Sequence, residues 1–234
     1  TERIMHRKYG IPFLFFKRPE WDKFGGAVYT FASDAIMPDG YVMQLPSTHL
    51  LGQNFSKIFG IKFMDKNKKE QYGWQTCYGP AFGRILAAAI SIHGDNKGIV
   101  LPFDYAPTQI VIVPILMKGK EREVHHRCLE LRNRLGEEGY RVVQDDSNKT
   151  PGEKFNEWEL KGACLRFEVG PREVKEKSIT VNRRDTGERE SIKESQLKKY
   201  LSEVGEKILK NLIKGADAHF EGHITSAKSM AELK

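Results

Sequence analysis

Cysteine is scarce in this sequence: three in 234 residues, Cys77, Cys128 and Cys164. They are far apart, odd in number and contain no CxxC pair, which argues against a disulfide framework or a paired-cysteine metal knuckle and suits a reducing cytoplasm. Long apolar runs are missing too. The longest stretches, around Ile85 to Ile92 and Ile110 to Met117, are far short of the ~20 residues that cross a bilayer, so no membrane partner is expected. Thr1 to Gly10 lack the charged, apolar and small-residue succession of a secretory signal. There is no internal repeat and no low-complexity tract. What remains is 39% hydrophobic residues, enough for one large domain or two ordinary ones. The net charge of +7 suits a polyanionic partner such as nucleic acid, because phosphate binding releases counterions. With charged residues of both signs at 29%, a well-solvated surface explains it equally well.

Along the first hundred residues, short apolar stretches alternate with turn signals: Ile11–Phe16, Ala27–Phe31, Pro38-Asp39-Gly40, Tyr41–Leu45. This pattern predicts antiparallel strands. Leu51, Phe55, Ile58 and Phe59 have helical spacing, so a helix is expected over Leu50–Phe59, then a strand at Ile61–Met64, a polar hairpin tip at Lys66–Glu70 and a strand at Tyr72–Cys77. Arg84–His93 reads as a helix buried almost all round, from its alanine and isoleucine content, and Ile99–Leu101 as a last short strand. A boundary is placed near Tyr105. Beyond it, the strand Gln109–Leu116, charged helical heptads from Lys118 to Glu138 and the strand Tyr140–Val143 form a βαβ unit. A helix from Pro151 to Leu160, strands Cys164–Val169 and Ser178–Arg183, and a long amphipathic helix through Leu197, Leu201, Val204, Ile208 and Leu212 complete the pattern. The fold class is therefore α/β: a partial antiparallel sheet followed by a domain with a mixed sheet.

Arg84 opens its helix directly after a glycine-flanked loop. A guanidinium there can bind phosphate through two parallel N–H groups, or simply pair with a carboxylate.

These residues carry a resemblance. Gln75-Thr76-Cys77-Tyr78-Gly79, Arg84, His93-Gly94-Asp95, Lys97-Gly98, Leu101-Pro102 and Val111-Ile112-Val113-Pro114 resemble motif 3 of the class II prolyl-tRNA synthetase family and its exit into the anticodon domain. Lys17-Arg18-Pro19-Glu20-Trp21-Asp22-Lys23-Phe24 with Leu51-Gly52-Gln53-Asn54-Phe55 is similar to the catalytic sheet of the archaeal and eukaryotic-cytoplasmic type. Lys154-Phe155-Asn156-Glu157-Trp158-Glu159-Leu160-Lys161-Gly162, Arg166, Glu168 to Arg172 and Arg183 to Thr186 are similar to that family's anticodon-binding domain. The likeness covers roughly residues 11 to 200, in order.

The resemblance implies a division into residues 1–105, the C-terminal part of a class II catalytic domain, residues 106–205, an anticodon-binding domain, and residues 206–234, a helical linker. It implies ATP and Mg2+ as cofactors, with L-proline and tRNA(Pro) as partners. Gln44 and Ser47 stand where the family approaches ATP and its magnesium, Gln44 as the metal-side residue, and His49 where it lines the proline pocket. Ser47 replaces a threonine and keeps the hydroxyl. Arg84 corresponds to the arginine that binds the triphosphate, and Gln75 and Thr76 lie on the strand beneath the nucleotide. Pro80-Ala81-Phe82-Gly83 is one residue longer than the family's usual approach to that arginine, with bulky Phe82 inside it. The family's motif 2 arginine and the residues gripping the proline nitrogen precede the region matching Thr1, and its zinc-bearing C-terminal module has no cysteine cluster here, so the chain is expected to be a fragment lacking motifs 1 and 2.

For RNA, Lys154, Glu159, Lys161 and Arg172 are the expected contacts, while Trp158 is expected in the core; splayed anticodon bases are read by such hydrogen bonders. The reading is a cytoplasmic proline–tRNA ligase, a homodimer at full length. Its rival is a non-catalytic tRNA-binding paralogue that keeps only the anticodon domain.

Overall fold

The computed structural model describes residues 1–229, 231 and 232. The chain divides into two compact units: Thr1–Arg7 with Ile11–Ile92 and the chain from Asp217 on, and Lys8–Gly10 with His93–Ala216. The elements run in chain order as α1 (Glu2–Tyr9), β1 (Leu14–Lys17), β2 (Tyr29–Ile36), β3 (Val42–Gly52), α2 (Asn54–Ile58), β4 (Lys62–Met64), β5 (Glu70–Tyr72), β6 (Gln75–Gly79), α3 (Phe82–His93), β7 (Ile110–Pro114), α4 (Glu121–Glu137), β8 (Val142–Gln144), α5 (Pro151–Leu160), β9 (Leu165–Val169), α6 (Pro171–Glu176), β10 (Ser178–Arg183), β11 (Arg189–Lys193) and α7 (Glu194–Gly222).

The first unit is built on an antiparallel sheet of order β1-β2-β3-β6, beside a small hairpin, β4-β5. The turn between β2 and β3 follows from Pro38-Asp39-Gly40: Gly40 takes φ +84°, and Asp39 accepts the amide of Tyr41 at 3.1 Å. β3 is far longer than the expected Tyr41–Leu45, because it pairs on both sides, with β2 and with β6. That pairing claims Leu50–Gly52 for the sheet and leaves the predicted helix only Asn54–Ile58; tertiary context overrides local spacing.

One irregularity in β3 decides what the sheet presents. Asp34 pairs with Gln44 and Ala32 with Ser47, so Leu45 and Pro46 together oppose Ser33. This is a β-bulge, where proline's missing N–H costs no ladder bond. An extra residue reverses the alternation of faces. Gln44, Ser47 and His49, three and then two residues apart, therefore share one face of the sheet.

Helix α3 departs from expectation. Ile85, Ala88 and Ala89 are buried, but Leu86 is 55% and Ile90 36% exposed, so it buries one stripe and leaves the opposite apolar stripe bare.

The second unit has a five-stranded mixed sheet of order β11-β10-β9-β7-β8. β7 runs parallel to both β8 and β9, and β9, β10 and β11 are antiparallel. β7 and β9 are buried at every residue, as a covered parallel strand requires. Val111, Val113 and Ala163 form a core against which Ile115, Phe155 and Trp158 pack. Full burial of a valine such as Val111 or Val113 stabilises the fold by about 1.5–3 kcal/mol. α5 starts where its cap dictates: Thr150 and Glu153 form a reciprocal capping box, with Pro151 in the first turn. The expected strand at Ile99–Leu101 does not form. Instead, the amide of Ile99 bonds to the carbonyl of Leu160, and the backbones lie so close that a Cβ on Gly98 would sit 2.4 Å from the Leu160 Cα. Only glycine fits there. α1, α6 and β11 were not anticipated from the sequence.

Candidate functional site

In the first unit, the face set by the β3 bulge is polar. The His49 ring is buried and held at both nitrogens, Nδ1 by Thr30 Oγ1 at 2.9 Å and Nε2 by Ser47 Oγ at 3.0 Å. Burial pushes its pKa below the usual histidine value, so the ring is neutral at pH 7 and turns a face, not a free nitrogen, to its surroundings. The Phe24 ring lies 4.8 Å from it, centroid to centroid.

Gln44 sits further along the same face between two arginines. Arg84 Nη1 donates to its backbone oxygen at 3.1 Å, and Arg18 Nη2 donates to its side-chain Oε1 at 3.1 Å. Arg84 is exposed, and among the described residues no carboxylate pairs with it, which removes the simplest structural reading of that side chain. It stands on the wall of an open groove of about 620 Å³ with Tyr41, Val42 and Ser91. On β6, His49 pairs with Cys77 and Ser47 with Gly79, so alternation places Gln75 on the same face and Thr76 on the other. The Oε1 of Gln75 is buried, with no hydrogen-bond partner among the described residues. The sheet thus brings Gln44, Ser47, His49 and Gln75 onto one face with Arg84 at its end, and sends Thr76 elsewhere. Arg18 and Asp34 were missed; only the pairing of β1, β2 and β3 shows that they meet Gln44.

A metal requires a donor set. Among the described residues no group of three or more His, Cys, Asp or Glu could hold an ion, Asp34 is ion-paired to Arg18 at 2.5 Å, and the amide oxygen of Gln44 is taken by the same guanidinium. Magnesium is commonly held by one or two protein oxygens together with waters and substrate phosphates; here Asp34 is neutralised by Arg18 and the cationic guanidinium already sits on the Gln44 oxygen, so among the described residues these side chains offer no ready-made magnesium site.

In the second unit, α5 and its surroundings hold the other predicted residues. Lys154 lies only 5% exposed, its ammonium 2.9 Å from the carbonyl of Asp145. It braces the loop after β8 and does not face solvent, which moves it out of the expected set of RNA contacts. Trp158 Nε1 donates to Asp145 Oδ2 at 2.7 Å, and its ring packs on the core. Burial raises the pKa of Asp145, but hydrogen bonds from Ser147 and Trp158 and the charge of Lys154 outweigh it, so the carboxylate titrates below its usual range. Glu159 accepts from Arg166 Nη1 at 3.0 Å; Arg166 also reaches Glu168 at 3.2 Å and stacks over Phe155 at 3.9 Å. Lys161 is half exposed, bonded to Glu157 at 2.6 Å and placed 4.7 Å above the Trp158 ring. Arg172 is exposed and bonded to Glu173 at 2.9 Å. Lys161 and Arg172 therefore reach the surface, Glu159 is engaged in an ion pair, and Lys154 is covered. Nearby, Asp95 accepts Arg184 at 2.5 and 2.8 Å and the amides of Lys97 and Gly98. Those contacts, led by Arg184, hold its pKa at about 2.

Comparison with known proteins matches residues 109–204 to the family described as "Anticodon binding domain". A proline–tRNA ligase from Thermofilum pendens is 48% identical over all of this chain, which covers 49% of that protein. One from Methanocaldococcus jannaschii is 48% identical over 92% of the chain and 47% of its own length. A prolyl-tRNA synthetase structure from Cryptosporidium parvum, complexed with halofuginone and AMPPNP, superposes with TM-score 0.91 at 36% identity, covering 99% of this chain and 48% of that one. A second from the same organism, complexed with L-proline and AMP, gives 0.89 at 35% identity, covering 99% of this chain and 50% of that one. The chain spans about half the length of the curated relatives it matches.

Proposed function

This chain belongs to the proline–tRNA ligase family over the half of its relatives' length that it spans, and we propose that the protein it forms activates L-proline with ATP and passes the prolyl group to tRNA(Pro). In this reading residues 1–105 contribute the C-terminal part of the catalytic domain and residues 106–205 read the anticodon; the compact second unit already begins at His93, and the helix α7 runs unbroken from Glu194 past residue 205 and ends at Gly222, so the expected helical linker over 206–234 is helical only to that point. The observation that carries the reading is the bulged strand, which aligns Gln44, Ser47 and His49 on one face with Arg84 at its end.

In the first step a proline carboxylate oxygen attacks the α-phosphorus of ATP, the bond to the β-phosphate bridge breaks, and pyrophosphate leaves with the electron pair. Arg84, exposed and among the described residues bonded only to a backbone oxygen, has guanidinium N–H groups to offer the triphosphate; a fixed charge of this kind lowers the barrier by several kcal/mol. Ser47 and Gln75 add polar groups beneath the nucleotide, and Thr76 supports the strand from its other face. Neutral His49 lines the proline pocket by its ring. In the second step a ribose hydroxyl of the tRNA terminus attacks the prolyl carbonyl and AMP leaves. Magnesium would enter with ATP as part of the substrate. Lys161 and Arg172 offer the exposed charge for the anticodon, and buried Arg166 holds the carboxylate of Glu159 in place beneath that surface.

The same reading makes the full-length protein a cytoplasmic homodimer; among the described residues no helix is long and apolar enough to cross a membrane. Proline-dependent ATP–pyrophosphate exchange by the full-length protein is the test. Exchange that requires proline supports the ligase, and tRNA binding without any exchange turns the assignment to a non-catalytic paralogue, a reading that the ligase relatives do not favour.

A further inference from the structure

Arg18 has no role in the function proposed above, yet it is among the most constrained cations of the first unit. Its side chain is 12% exposed and its guanidinium pairs with Asp34 at 2.5 Å and with Asp22 at 3.2 Å. The Phe16 ring lies 4.8 Å beneath it. Its backbone amide bonds to the carbonyl of Thr30 at 2.8 Å, prolonging the β1–β2 ladder. A planar guanidinium held from three sides has a fixed direction, and that direction is the side chain of Gln44.

The chemistry of the contact settles how the amide is turned. Arginine carries donors and no acceptor, so the Gln44 atom facing it is the oxygen. The amide nitrogen therefore points away from Arg18, and among the described residues it has no hydrogen-bond partner. Gln75, at the far end of the same face, shows the contrast: its buried Oε1 has no hydrogen-bond partner among the described residues.

We propose that Arg18 is a positioning residue: locked by Asp34 and Phe16, it occupies the Gln44 oxygen and turns the amide N–H2 toward the open face, so that Gln44 meets the nucleotide as a hydrogen-bond donor to phosphate oxygen and not as a ligand to magnesium. This rests on the ATP-binding reading of the same face and deepens it. Asp34 takes no part with the substrate; its work is to keep Arg18 in place.

The test is equilibrium binding of AMPPNP to the full-length protein by calorimetry, with and without magnesium, alongside proline-dependent exchange. Gln44→Glu replaces the outward donor with an acceptor while leaving an oxygen for Arg18. The expected result is AMPPNP affinity lowered at least tenfold both with and without magnesium, the size of a lost bond to a charged group. Arg18→Met should weaken AMPPNP by a similar factor, leave proline affinity unchanged, and add nothing further when combined with Gln44→Ala, because both act through one amide. Arg18→Lys, which keeps the charge on Asp34 with a single rotatable ammonium, should recover only part of the loss.

Gln44→Glu that binds magnesium-AMPPNP as tightly as wild type, or Arg18→Met and Gln44→Ala losses that simply add, overturns the proposal. Should Arg18→Met fail to fold, the Gln44→Glu comparison decides alone, since Gln44 is only half-buried. Absence of proline-dependent exchange in the wild type is a separate result: it removes the ligase reading itself, whereas normal exchange with unaltered variant affinities removes only the role of Arg18.

Discussion

The two units close their interiors very differently. In the second, β7 and β9 are buried throughout, and the aromatic rings of Phe155 and Trp158 lie over a core of valines and alanine. In the first, β1 is exposed at all four residues, and Trp21, Tyr41, Ile58, Phe59 and Phe82 are at least 70% exposed. The difference teaches that the second unit covers its central strands and encloses its ion pairs with them, whereas the first leaves much apolar surface uncovered and orders a polar face: Thr30, Ser47 and His49 joined by hydrogen bonds, and Arg18 joining the Asp34 carboxylate to the Gln44 amide. A unit of the first kind is sensitive to polar changes on one face and tolerant of apolar truncation on the other.

The largest effect should separate those two behaviours. Phe167→Ala, in a fully buried position of β9, should cost the second unit about 3–5 kcal/mol, while Leu86→Ala on the bare stripe of α3 should stay within about 0.5 kcal/mol. Chemical denaturation measures both, and a Leu86 loss comparable to that of Phe167 would mean that the stripe is covered. Next comes Arg84→Ala, expected to lower prolyl-adenylate formation by about 100- to 1,000-fold, the range for removal of one charge-stabilising donor, with tRNA affinity nearly unchanged. Pyrophosphate exchange and filter binding on the same preparations check the split, and equal adenylate yields would make Arg84 structural.

Smaller effects sharpen the RNA side. Lys161→Ala should weaken tRNA(Pro) by about 1–3 kcal/mol and a non-cognate tRNA much less if Lys161 reads a base; Lys154→Ala should instead destabilise the fold. A loss for Lys161→Ala that is equal for both tRNAs and disappears at high salt would reduce Lys161 to a backbone contact. The smallest expected change follows pH. The pKa of Asp95 is depressed to about 2 by Arg184, so its contribution is complete above the ordinary carboxylate range and fades as pH falls from about 4 toward 2. Asp95→Asn should flatten that part of the acid-unfolding curve, and an unchanged curve would show that the pair carries no net stability.

Parts of this were legible in the residues alone, and the reasons are physical. α5 could be bounded because its opening signal is local: Pro151 stands at its first position, where a proline fits a helix start, and the structure adds the cap from Thr150. The βαβ of β7, α4 and β8 announced itself through a run of β-branched residues followed by helical charge spacing. α1 was not visible, since Met5 is its single buried residue and gives no periodicity. Lys154 was misplaced because lysine is almost never buried unless paired, and its partner, Asp145, is nine residues away across a turn. In the site, Arg84, Gln44 and His49 could be named from resemblance, but nothing in the chain's order reveals that Arg18 grips Gln44 from 26 residues upstream.

The bulge at Leu45-Pro46 acts on β3 as a half-period phase jump. Along an ordinary strand, positions of equal parity point the same way, and a search for that rhythm would put Gln44 on the opposite side from Ser47 and His49. The extra residue converts odd spacing into alignment, so the strand has an arithmetic as well as a composition. Many side chains along it can change without altering which way the others point, but losing or gaining one residue between Gln44 and Ser47 would turn part of the constellation to the wrong side. In this stretch length is the rigid parameter, and anyone redesigning the strand should count residues before choosing them.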